Sequence, residues 1–156
     1  MKPIVLTMAL ATALAAALGG CASAGTELSD EATLGLYRAH AGEPVGSFRY
    51  FGRLNGWTPL GDETLVVWTR PKEAYLLELF GSCQGLEFTP AIRISNQAST
   101  VYAGFDSVIP TGGGAIGMRN IPCRIQTIRP LQVNALKDAQ RELREANAVE
   151  RQEQGN

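Results

Sequence analysis

Two apolar runs rich in β-branched and aromatic residues, joined by a short polar link, constrain this chain more than any other feature. Residues 63–69 carry Leu65, Val66, Val67 and Trp68, and residues 73–80 carry Tyr75, Leu76, Leu77 and Leu79. Such side chains favour a pleated, half-buried surface. Arg70-Pro71-Lys72 between them has the length of a hairpin turn.

Shorter segments of the same character flank this hairpin. Residues 47–51 (Phe48, Tyr50, Phe51) read as a strand. Residues 54–60 contain Trp57 but also Gly56 and Pro59, which makes them a broken or edge strand. Further short strands are expected at 88–95, 100–103, 106–109, 116–118 and 124–129, divided by turn formers such as Asn96, Gly104 and Thr111-Gly112-Gly113-Gly114. Many short strands at regular spacing predict a mainly β fold, a small antiparallel barrel or sandwich.

Helical periodicity is confined to the two ends. Ser29-Asp30 can cap a short helix reaching His40, with Leu34, Tyr37 and Ala41 on one side, Gly35 weakening it and Gly42 ending it. After Pro130, Leu136, Ala139, Leu143 and Ala146 recur every three to four residues among mixed charges, which predicts a C-terminal amphipathic helix with a narrow apolar stripe. That helix either packs one edge on the β domain or meets a partner. Its mixed charges and lack of bulky aromatics disfavour docking on a membrane.

The first residues form an export signal. Lys2 precedes an apolar run over residues 4–18, and Leu18-Gly19-Gly20-Cys21 follows. The run is too short to span a bilayer, which takes about 20 residues. Its end looks like the lipobox of bacterial lipoproteins, in which the cysteine receives fatty acyl chains such as palmitate and becomes the first mature residue. The expected organisation is a removed signal peptide at 1–20, a tether at 21–28, a β-rich domain with its leading helix at 29–131, and a C-terminal helix and tail at 132–156. Ala22 follows Cys21 where an aspartate would favour inner-membrane retention, so the expected address is the periplasmic face of the outer membrane.

The full chain has 14 basic and 15 acidic residues, a formal charge of −1. Without Lys2 it falls to −2, which gives no basic footprint for nucleic acid. With Cys21 assigned to the lipid, Cys83 and Cys123 remain as an even pair in an oxidising compartment, and a structural disulfide is expected. No CxxC is present and His40 is the only histidine, so neither a metal site nor a cofactor is implied.

Motifs that carry chemistry are thin. Gly112-x-Gly114-x-x-Gly117 matches a dinucleotide fingerprint in letters only, because no crossover helix follows it. Ser29, Ser82 and Ser107 lack a nucleophile elbow. Glu73 and Glu78 are an odd number of residues apart on one strand and therefore face opposite ways. Arg53, Trp57, Trp68, Arg70 and Tyr75 form the most interesting set, since aromatics interleaved with arginines can build a stacking or carboxylate-binding surface, or serve as core and rim packing.

Phe48-Arg49-Tyr50-Phe51, Asn55-Gly56-Trp57, Leu65-Val66-Val67-Trp68-Thr69-Arg70-Pro71 and Gly81-Ser82-Cys83 come first in a recognisable order. Ala103-Gly104-Phe105-Asp106, Cys123-Arg124-Ile125 and Ile128-Arg129-Pro130-Leu131 continue it. Together they resemble a family of small lipoproteins of Gram-negative bacteria catalogued only as a domain of unknown function. The resemblance implies a compact exported domain with a paired cysteine and carries over no catalytic residue. The expectation is a non-enzymatic accessory, held to the membrane by its lipid and binding an envelope protein or component. The alternatives are a periplasmic inhibitor like those that block lysozyme, or a periplasmic enzyme of unrecognised type.

Overall fold

A computed structural model describes residues 29–112 and 121–154. The central hairpin forms where the apolar runs require it. Strands β3 (Thr64–Arg70) and β4 (Glu73–Leu79) pair antiparallel, with Leu65 opposite Leu77 and Val67 opposite Tyr75. Alternation along each strand sends Leu65, Val67, Leu77 and Leu79 into one cluster and Val66, Ala74 and Leu76 into another. Both faces are therefore covered, which is why these runs are continuously apolar.

Strands β2 (Gly56–Pro59), β5 (Ala91–Ile94), β7 (Ser107–Thr111) and β8 (Cys123–Pro130) extend the hairpin to an antiparallel sheet of order β2-β3-β4-β8-β7-β5. It curls into a half-barrel. A second sheet pairs β1 (Ser47–Arg49) with β6 (Thr100–Tyr102) and contributes Phe48 and Val101 to the same interior. This small sheet hangs on β8: the Val45 amide donates to the Ile128 carbonyl and the Gly104 amide to the Ile125 carbonyl, both at 2.8 Å. Leu77 faces Ile128 on β8, but Leu79 faces Ile125. β8 thus holds one residue more than β4 here, a bulge that lets two isoleucines three apart both point inward.

The helices lie on the outer face. Helix α1 (Asp30–Ala39) begins where expected, with the Ser29 hydroxyl accepting from the Ala32 amide at 3.2 Å. It ends at Ala39 with His40 as its cap, close to the expected end, and the chain then leaves for the sheet: Ala41 bridges to Leu131 and Gly42 donates its amide to the Pro130 carbonyl at 2.8 Å. Tyr37 of α1 packs with Leu131, Val133 and Leu136 against Val66, Ala74 and Leu76. Glu78 fastens α1 to the sheet, accepting from Arg38 at 3.1 Å and lying 3.8 Å from Arg129. Helix α2 (Val133–Gln154) docks by its start alone. Of the expected stripe, Leu136 is buried, Ala139 and Leu143 are half-buried and Ala146 is exposed.

Cys83 and Cys123 form the expected disulfide, 40 residues apart in sequence and 5.6 Å between Cα atoms. It joins the connection after β4 to the start of β8. The strand expected from residue 88 starts instead at Ala91, since residues 84–88 form turns that bury Leu86 and leave Phe88 exposed. The strand expected at 116–118, the expected signal peptide, Cys21, Gly114 and Gly117 lie outside the described residues.

Candidate binding cleft

The half-barrel does not close upon itself. Its end strands, β2 and β5, both line a cleft of about 340 Å³, which is the open seam of the sheet. The 50–55 connection from β1 to β2 completes the wall. Tyr50, Arg53, Leu54 and Trp57 come from one side, Pro90 and Ile92 from the other.

Local sequence explains each contribution. In Phe48-Arg49-Tyr50-Phe51, alternation buries Phe48 and Tyr50 and exposes Arg49 and Phe51. The Tyr50 amide donates to the Ser99 carbonyl at 2.8 Å, and burial pushes its phenol above the ordinary value of 10.0. Gly52 adopts a φ of +78°, open to glycine at little cost, and so turns the chain towards β2. Arg53 is exposed and makes no ion pair among the described residues. Pro59 on β2 has no amide hydrogen to offer, and an edge strand with proline resists addition of a further strand. The seam therefore offers side chains more than backbone: the Arg53 guanidinium, the Trp57 indole and aliphatic walls. Such a surface suits a segment that presents a carboxylate together with an apolar or aromatic group.

The sheet divides the five residues singled out from the sequence. Arg53 and Trp57 meet in the seam. Trp57, Val67 and Tyr75 lie in one cross-strand row and pack on the inner core, where Tyr75 stacks on Phe48 with ring centroids 4.5 Å apart. Trp68 lies opposite Gly56 and Ala74, faces the other way and packs with the helices. Arg70 is engaged by Glu73 at 3.2 Å. Of the five, Arg53 and Trp57 line the seam, Tyr75 shares the Trp57 row but packs inward, and Trp68 lies on the opposite face, because neighbours one apart on a strand face opposite sides.

Glu73 also accepts from the Thr69 and Tyr75 hydroxyls at 2.9 and 3.0 Å. Burial, followed by the hydrogen bond and charge of Glu73, raises the Tyr75 pKa, while Arg70 opposes the shift. Glu73 and Glu78 face opposite ways, as their odd spacing requires. Asp106 is buried and structural: it accepts from the Ser95 hydroxyl at 2.7 Å and the Tyr102 amide at 2.8 Å, which fastens the turn between β6 and β7. His40 gives its carbonyl to the Gln132 amide at 2.9 Å, where α2 begins.

Sequence reading missed Tyr50, Leu54, Pro90 and Ile92 as cleft residues. The alternation around Phe48 marks Tyr50 as inward-facing, but nothing local places residue 92 beside residue 57. Among the described residues no group of three or more His, Cys, Asp or Glu side chains is arranged to hold a metal, and no helix is long and apolar enough to cross a membrane.

Comparison with curated proteins and with solved structures gives no significant match. The order of motifs along the chain does have a counterpart: residues 4–147, which take in the apolar N-terminal run, the whole β domain and two-thirds of α2, match DUF6491. The chain belongs to this family of unknown function.

Proposed function

We propose that this protein is a lipid-anchored envelope protein of a Gram-negative bacterium, held by Cys21 to the periplasmic face of the outer membrane, and that it acts as a non-enzymatic binding module. The seam cleft carries the reading: Arg53, which makes no ion pair among the described residues, and a half-buried Trp57 share a groove between two edge strands. The lipobox-like Leu18-Gly19-Gly20-Cys21 and the Cys83–Cys123 disulfide support the address, since disulfides persist in an oxidising compartment. The non-enzymatic reading is supported by the engagement of the paired carboxylates in structural contacts, Glu73 with Thr69 and Tyr75 and Glu78 with Arg38 and Arg129. The partner is an envelope protein segment bearing a carboxylate beside an apolar side chain.

In-cell cross-linking of the tagged, anchored chain, read by mass spectrometry, tests this. One dominant captured protein is expected, lost in Cys21→Ser and reduced at least about tenfold by Arg53→Glu, a change of about 1.4 kcal/mol at a contact of this type. Arg53 is exposed, so the variant is expected to melt like the parent. Capture indifferent to both substitutions would refute the seam as the binding site.

A further inference from the structure

The chain enters its fold at one end of the half-barrel, and that end carries exposed apolar side chains. The first turns of α1 line a cleft with the β2–β3 turn, Asp30 and Glu31 facing Gly61 and Asp62. This turn is bound to the exit of β4, because the Asp62 carbonyl accepts from the Cys83 amide at 2.8 Å and its carboxylate from the Ser82 hydroxyl. Phe80, directly after β4, shares a cleft of about 410 Å³ with Ile121, which lies two residues before β8. The Cys83–Cys123 disulfide ties these segments together. Phe80 is 61% exposed, Ile121 54%, and Phe88 on the same 80–90 connection 83%. Phe80 and Ile121 share one cleft, and Phe88 lies eight residues after Phe80 on the same connection, so this end offers three apolar side chains to a contact.

We propose that this end docks on the membrane, with Phe80, Phe88 and Ile121 entering the lipid interface. The inference builds on the anchored reading above. Ser29 follows Cys21 by 29 − 21 = 8 residue steps, a span of at most about 28 Å. A domain of this size has a radius of gyration of about 13 Å, so the tether is about as long as the domain is wide. The end where α1 starts therefore stays within about one domain width of the bilayer, and the anchor raises the local lipid concentration that a small apolar patch meets. Asp30, Glu31, Asp62 and Glu63 at this end oppose an anionic surface. The contact is apolar and favours zwitterionic lipid.

The test uses the mature chain with its native anchor, reconstituted in phosphatidylethanolamine vesicles with a minor fraction of phosphatidylglycerol and brominated acyl chains. Phe80→Trp and Phe88→Trp should each lose about half of their added emission, since interfacial side chains lie about 5–10 Å into the headgroup and acyl boundary. The native Trp57 and Trp68, and Phe51→Trp on the β1–β2 connection, should lose none. Acylated protein in which Phe80→Trp and Phe88→Trp stay unquenched overturns the docking and leaves the anchor standing. An intact mass without acyl chains on Cys21 overturns the anchored reading and the orientation with it. Quenching that strengthens as phosphatidylglycerol rises overturns the apolar mechanism in favour of a headgroup site.

Discussion

Strands β4 and β2 belong to one antiparallel sheet and have opposite characters. β4 has a neighbour on each side and a packed layer on each face, and Leu76 and Leu77 are fully buried in different layers. β2 has one neighbour, and all four of its residues are half-buried. Apolar area removed from water is the main stabilising quantity, so the centre of the sheet holds the fold and the seam contributes little. What the seam keeps instead is access: an exposed cation, Arg53, and a half-buried indole, Trp57. On the proposed reading, stability and recognition fall on different strands of one sheet.

The largest effect that tests this division is truncation at the centre. Leu77→Ala should cost about 2–5 kcal/mol by urea denaturation, as buried leucines do, whereas Ile92→Ala at the seam should cost about 1 kcal/mol. Equal losses would break the comparison. Alkaline pH gives a smaller effect that sharpens it. Both Tyr50 and Tyr75 have raised folded-state pKa values, so the unfolded chain ionises first. Their stabilisation is complete below the ordinary tyrosine value of 10.0 and is lost as pH rises through the folded values. Tyr75→Phe and Tyr50→Phe should each flatten that alkaline loss in thermal melts. An ultraviolet titration with the captured partner present should move Tyr50, which lines the seam, and leave Tyr75 in place. The smallest expected change lies beyond β5. Ala98 and Ser99 both have positive φ (46° and 59°) in the two-residue turn closed by Gln97 and Thr100. Ser99→Gly relieves left-handed strain and should add about 1 kcal/mol, read as a higher Tm.

The same division decides what could be read from the amino-acid sequence. The hairpin, the disulfide, the Ser29 cap and the edge character of β2 follow from local rules: continuous apolar runs, an even cysteine pair, a capping serine, a proline in a strand. The mainly β class followed from the spacing of short strands. The seam did not, because it depends on residues 50–57 and 90–92 meeting, which curvature decides and no local pattern encodes. Trp57 and Trp68 illustrate the limit. Both are large aromatics on paired strands, and only the register places one inside and the other under the helices. The start of β5 was misplaced because Phe88 reads as a strand former, while turns at 84–88 serve to bury Leu86.

Strand β8 has a further consequence. It pairs with β4 along one edge, and along the other with β7 at its beginning and the approach to β1 at its end. Each branch of the molecule bonds to its own backbone groups, and all of those groups are carried by this one strand. Opening fluctuations that expose β8 amides must therefore involve the whole domain, whereas those at β2 and β5 need only an edge to peel away. The bulge that aims Ile125 and Ile128 inward makes eight residues the common hinge of a single cooperative unit.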